Sequence, residues 1–328
     1  LSVSDFLEGR KGEAAALATA VCWSLTPFFF TAASRRIGAF AANVIRLAVA
    51  LCLLDAAVLV TGAASTLPWR QAALLAASGL VGLSLGDAAL FEAFVALGPR
   101  RVSLLSATAP IFVAVVSVPV LGETISPMGM LGMALTLGGV AWVVMERGDA
   151  GEVRGSLARG VTMGVVAAAG QGFGAILAKA GLGAAPATTW LGGLAADGAA
   201  PDSVSPLLGT LVRMLAGTLG MVGYAAMRGK LGEVVRGARD ARAVAQTAGG
   251  AMFGPFVGMW FSLAAFKYTK QTAVAQTIMA FSPVLVIAIA RVVHGERPSP
   301  RAWIGSIGAV FGLAVLAFRE EIARAFGG

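Results

Sequence analysis

APIFVAVVSVPVLGETISPMGMLG (residues 109–132) and SPVLVIAIARVVHGERPSPRAWIG (residues 282–305) are two versions of one pattern. In both, a Pro near the start (Pro110, Pro283) is followed by a Gly-Glu pair (Gly122-Glu123, Gly295-Glu296) whose Glu lies thirteen residues on. A Ser-Pro step comes next (Ser126-Pro127, Ser299-Pro300), then a Gly (Gly132, Gly305). Gly139 and Gly312, and Ala141 and Ala314, continue at the same offset of 173 residues. Upstream the match persists with a one-residue shift, Gly82, Gly86, Ala93 and Phe94 answering to Gly254, Gly258, Ala265 and Phe266, and Arg46 has a counterpart in Arg213. Ala/Gly-rich segments resemble one another by composition alone, but composition does not hold Pro, Gly-Glu and Ser-Pro at fixed spacing.

The repeat lies in an apolar chain. Of 328 residues, 57% are hydrophobic and only 13% charged, with a mean hydropathy of +0.82; soluble domains carry about 25% charged residues. Apolar runs long enough to span a bilayer, about 20 residues each, fall near 13–33, 39–61, 71–97, 102–121 and 127–145, and again near 160–182, 206–227, 244–266, 272–293 and 301–318. The expected fold is therefore an all-α integral membrane protein of ten transmembrane helices. Residues 1–146 form the first five-helix repeat, 147–159 a linker and 160–328 the second repeat. Five is odd, so the second repeat enters the membrane inverted relative to the first, a plan that places a binding site near the midplane between halves.

The net charge of +8 is spread in short clusters between apolar runs (Arg35-Arg36, Arg100-Arg101, Arg228 to Arg242), which reads as membrane topology and not as a nucleic-acid surface. With both termini cytoplasmic, the outside loops would carry about twice as many Lys and Arg as the inside, so the positive-inside rule favours the opposite orientation. Cys22 and Cys52 sit in apolar runs without ligand spacing, and the chain has one His, so no metal or cofactor is expected.

Ionisable groups within membrane helices mark functional sites. Asp87 and Glu92 are the candidates for substrate contact or proton coupling. Arg46 and Arg213 suit a carboxylate or a shared structural role, and Lys179 a cavity or an interface. Trp23, Ser24, Thr26, Phe91, Gln171, Trp260, Gln276 and Thr277 complete the expected cavity lining, since small-molecule sites are mostly apolar with a few convergent polar groups. Glu123 and Glu296 are expected to organise the turns beside Ser-Pro. Gly170-Gln171-Gly172-Phe173-Gly174 lacks the strand and spacing of a nucleotide loop and reads, with Gly160 and Gly164, as close helix packing.

Trp23-Ser24, Arg46, Gly86-Asp87 with Ala93, and the duplicated Pro…Gly-Glu segments together resemble the drug/metabolite transporter superfamily, in particular its EamA-type ten-helix permeases. The resemblance covers nearly the whole chain. It implies a multi-pass carrier of the bacterial inner membrane, an exporter or exchanger of amino acids or related small metabolites, with cytoplasmic termini, which the charge distribution opposes. The other readings are efflux of cationic drugs, with Asp87 or Glu92 as partner, and, more remotely, an intramembrane enzyme using Asp55 and Asp87, or a receptor. The expected partners are a small-molecule substrate and the lipid bilayer, with no nucleic acid; monomer and oligomer are both open.

Overall fold

A computed structural model describes residues 10–63, 67–145, 156–195, 204–294 and 299–325, and all its regular structure is helical. Nine described helices are long and apolar enough to cross a membrane: α1 (Lys11–Ile37), α2 (Ala39–Thr61), α3 (Trp69–Leu97), α4 (Leu104–Leu121), α5 (Pro127–Val144), α6 (Leu157–Gly181), α7 (Pro206–Met227), α8 (Ala241–Tyr268) and α10 (Pro300–Ala317). The shorter apolar segment α9 (Thr272–Val286) completes the ten. Their outward faces are apolar, with Val60, Leu59, Val95 and Val115 each at least two-thirds exposed, as a surface solvated by lipid requires.

The helix starts follow local chemistry. Ser126, Ser205 and Ser299 each sit one residue before a Pro, and their hydroxyls accept from the backbone N–H of Gly129, Leu208 and Ala302 at 3.1–3.2 Å. Ser supplies the acceptor that the helix end lacks, and Pro at the first position gives up an N–H that would have no partner there. Gly122 ends α4 in the left-handed conformation (φ 63°) that favours glycine. Asp240 caps α8 through the Ala243 N–H and pairs with Arg36 at 3.0 Å; these bonds hold its carboxyl below the usual carboxylate range.

The repeat is visible in backbone irregularities. Leu80–Gly86 in α3 and Met252–Gly258 in α8 are both π-helical, at the offset that relates Gly82 to Gly254. The helices on either side of Ala107-Thr108 and of Ala280-Phe281 are interrupted at equivalent positions, immediately before Pro110 and Pro283, whose rings cannot follow an unbroken helix. Between the end of α3 at Leu97 and the start of α4 at Leu104 helical turns continue without an extended loop. The chain nevertheless reverses direction there. Leu75, Gly86 and Leu97 pack against Gly181, Gly170 and Gly160 in turn, whereas Leu105 and Phe112 pack against Gly164 and Gly172.

Corresponding helices α5 and α10 run antiparallel, Gly132 facing Leu316 and Gly312, and Gly139 facing Ala309 and Gly305. A Cβ on Gly139 would lie 2.6 Å from the Gly305 carbonyl oxygen, and one on Gly305 would lie 2.9 Å from the Gly139 oxygen. The Gly132–Gly312 contact maps onto the Gly305–Gly139 contact under the repeat, so a pseudo-two-fold axis passes between these helices. The halves also interlock. α1 packs on α8 and α9, and α6 on α3 and α4, so the first helix of each half completes the other half's core. Gly160, Gly164, Gly170 and Gly174 make the close approaches of α6.

Candidate functional site

A cavity of about 520 Å³ opens among α1, α2, α3, α4, α6, α8 and α9, within the range of about 300–1,000 Å³ usual for small-molecule sites. Its lining comes from the second half of α1 (Trp23 to Ser34) and the first half of α2 (Ala39 to Leu47), so it reaches from mid-bundle toward the face that carries the α1–α2 turn. Both helix interruptions and the π segment of α8 border it, through Ala107, Ala280 and Gly254.

Asp87 stands at its polar centre, 3% exposed. Arg46 Nη2 donates to Asp87 Oδ2 at 2.8 Å, and Gln171 Nε2 donates to Asp87 Oδ1 at 3.2 Å and to the Gly82 carbonyl at 3.0 Å. Gly82 lies in the π segment of α3, where the wider turn displaces carbonyls from the regular ladder, and Ser84 of the same segment donates to the Gly217 carbonyl of α7. In the other half Thr19 donates to the carbonyl of Gly258, at the end of the second π segment. Trp23 lies against Gly258 as Gln171 lies against Gly86, two aligned positions with different side chains. Asp87 itself aligns with Met259, so the carboxylate belongs to one half alone.

Arg213, the counterpart of Arg46, is 2% exposed. Its Nη2 faces Gly82 and Gly174, and its Nε and Nη1 have no hydrogen-bond partner among the described residues. Arg46 Nε, both amide atoms of Asn43 and Gln276 Oε1 are likewise buried without partners. Asn43 precedes Arg46 by three residues on α2, which puts both on one face. Sequence reading passed over Asn43, although a polar pair at helical spacing in an otherwise apolar helix was the available signal.

Of the expected lining residues, Trp23, Thr26, Asp87, Phe91, Gln171 and Gln276 border the cavity. Ser24 and Thr277 are fully buried elsewhere, their hydroxyls donating to the carbonyls of Val21 and Ala273 in their own helices. Trp260 is not in the lining either: it is 37% exposed and stacks on Phe261. Glu92 lies away from the cavity, bonded to Arg159 at 2.9 Å and to the Tyr224 hydroxyl at 3.3 Å.

Lys179 and Glu123 meet at the opposite face. Lys179 Nζ donates to Glu123 Oε1 at 2.8 Å and to the carbonyls of Thr269 and Lys270. Glu123 also accepts from the backbone N–H and hydroxyl of Thr272 at the start of α9. Glu123 thus joins the halves, where sequence had assigned it only to its own turn; Glu296 lies outside the described residues. Beside this pair Arg319 bridges Glu13 and Gln271. The result is a polar clasp across the face that carries the start of α1. Among the described residues no group of three or more His, Cys, Asp or Glu side chains is placed to hold a metal ion.

The family model described as "EamA-like transporter family" matches the chain twice, over residues 10–145 and 179–318. Of the solved structures, 24 chains match. One, described as "Crystal structure of protein", superimposes with a TM-score of 0.73 over 97% of this chain and 98% of its own, at 18% identity; that likeness concerns the fold alone. No curated protein matches the sequence.

Proposed function

The chain belongs to the EamA-like transporter family, and from that premise we propose that it is a secondary carrier that exports or exchanges amino acids or related small metabolites by alternating access. Membership and the apolar helices make it a multi-pass membrane protein of a small-molecule transporter family; the solute, the mechanism and a location in the bacterial inner membrane belong to the proposal. The observation that carries it is the placement of the cavity between interlocked, pseudo-symmetric halves. The cavity extends toward one face, and the Lys179–Glu123–Thr272 clasp joins the halves at the other. Exchanging the conformations of the two halves would move the closure to the opposite face, with Asp87 remaining near the middle. Cation efflux is less well supported, because both carboxylate oxygens of Asp87 are already engaged.

The test is reconstitution into liposomes with a panel of labelled amino acids and metabolites, with and without a proton gradient. Uptake or counterflow above protein-free liposomes is expected for at least one solute; a panel that moves no faster than in empty liposomes sinks the carrier reading. Asp87→Asn in the same assay is expected to slow transport at least about tenfold, a loss of about 1.4 kcal/mol of barrier lowering.

A further inference from the structure

One arginine and one carboxylate, Arg46 and Asp87, line the cavity, and a second arginine is buried behind them. Arg46 pairs with Asp87, with 24% of its side chain exposed. Arg213 stands behind them, beside the Gly82 backbone that Gln171 also contacts, and within electrostatic reach of Asp87. With Asp87 ionised, one positive charge is left over; with Asp87 protonated, two are. Among the described residues Arg46 and Asp87 are the charged side chains that line the cavity, so the excess charge is that of the buried Arg213. An uncompensated charge in a low-dielectric interior is costly unless a counter-charge joins it.

The unpartnered atoms add direction. Arg46 Nε and Asn43 Nδ2 are buried donors with nothing to donate to, one helical turn apart, and Asn43 is 3% exposed while bordering the cavity. Arginine and amide donors side by side match a carboxylate, which takes paired N–H groups on its two oxygens. Elsewhere in the lining, Gln276 Oε1 is a buried acceptor without a donor. The remaining walls are aromatic and aliphatic.

We propose that the cavity takes a small organic anion. Its carboxylate docks on Arg46 and Asn43, an apolar and preferably aromatic body lies against Trp23, Phe30 and Phe91, and an N–H reaches Gln276. The inference rests on the carrier reading and narrows its solute to carboxylates of net negative charge. A zwitterion would neutralise the arginine while bringing its own ammonium into the cavity, where the Asp87 oxygens are occupied. A cation would add to the excess.

The test uses three solutes that share one aromatic body: the cation phenethylamine, the zwitterion phenylalanine and the anion N-acetylphenylalanine. Binding to the full chain in nanodiscs is measured by calorimetry, and flux by counterflow in proteoliposomes. N-acetylphenylalanine is expected to bind at least about tenfold tighter than phenylalanine, about 1.4 kcal/mol, with phenethylamine weaker still. Arg46→Gln is expected to lower affinity for the anion by about the same factor, and Arg46→Lys to recover part of the loss. Should Arg46→Gln fail to fold, Asn43→Leu, which breaks no ion pair, must weaken anion binding selectively. Flux with phenylalanine or phenethylamine preferred overturns the anion assignment and leaves the carrier reading standing. Anion binding without flux above protein-free liposomes overturns the carrier reading and leaves the site. Binding of none of the three overturns the anion site.

Discussion

Arg213 carries a full charge at 2% exposure, with two of its three guanidinium nitrogens lacking hydrogen-bond partners among the described residues. An arrangement selected for stability alone would replace it, since buried ionic groups often give way to apolar ones with no loss, or with a gain of about 1–4 kcal/mol. Arg213→Met is therefore expected to keep or raise the thermal unfolding temperature in detergent while lowering transport at least about tenfold. Lower stability with transport unchanged would assign Arg213 to the scaffold. Arg46 and Arg213 were recognisable in sequence as a repeated pair, but their convergence beside one carboxylate was not. Helices α2 and α7 are apolar nearly all round, and a helix without a polar stripe does not tell which way a given side chain points. The same limit hid the inward turn of Ser24 and Thr277 onto their own helices, and the outward face of Trp260.

The glycines of α5 and α10 set the test for single elements. A Cβ on Gly139 would meet backbone of α10, whereas one on the neighbouring Gly138 meets nothing within 4 Å. Gly139→Ala must push two backbones apart and is expected to cost about 1–3 kcal/mol, the usual penalty of overpacking. Gly138→Ala is expected to be neutral or to stabilise by up to about 1 kcal/mol through helix propensity. Thermal melts of the two variants in one detergent separate these outcomes, and equal effects would contradict the packing described. The clasp has its own signature. Lys179→Met leaves Glu123 buried without its cation and is expected to destabilise by about 3–5 kcal/mol, whereas Lys179→Met with Glu123→Leu recovers most of the loss. A cysteine placed near Thr272 should become reachable by thiol reagents in the single variant if the clasp closes that face. The repeat spacing marked Pro110 and Pro283, beside which both helix interruptions fall. It did not show the Lys179–Glu123 pair, whose members are 56 residues apart on different helices.

At the scale of the molecule, five-helix parity correctly required opposed directions for corresponding helices, and α5 against α10 shows them. What sequence left out is the interlocking of the halves, with α1 seated on α8 and α9, and α6 on α3 and α4. Hydropathy counts segments and does not pair them; the pairing is set by where glycines let backbones approach, as Gly258 admits Trp23 and Gly160 admits Leu97. If the carrier has the net positive cavity inferred above, the loaded site is closer to electrically neutral than the empty one. Counterflow, in which the site crosses occupied both ways, is then expected to outpace net flux by about tenfold or more, since a bare charge at mid-membrane costs about 2.5–3.5 kcal/mol on insertion scales. Equal rates for exchange and net flux would contradict this.

The glycine contact between α5 and α10 has a meaning for descent. An interface that maps onto itself when the halves are exchanged is the kind that two identical chains form around a two-fold axis. A single five-helix chain inserted in both orientations would have possessed this surface, and the partner for it, before any gene was doubled. The segment that joins α5 to α6 would then be a later convenience. Two separate chains cut within it, produced together, are expected to find one another and restore the ten-helix protein, whereas either chain alone, lacking the helix that the other half lends it, should not accumulate.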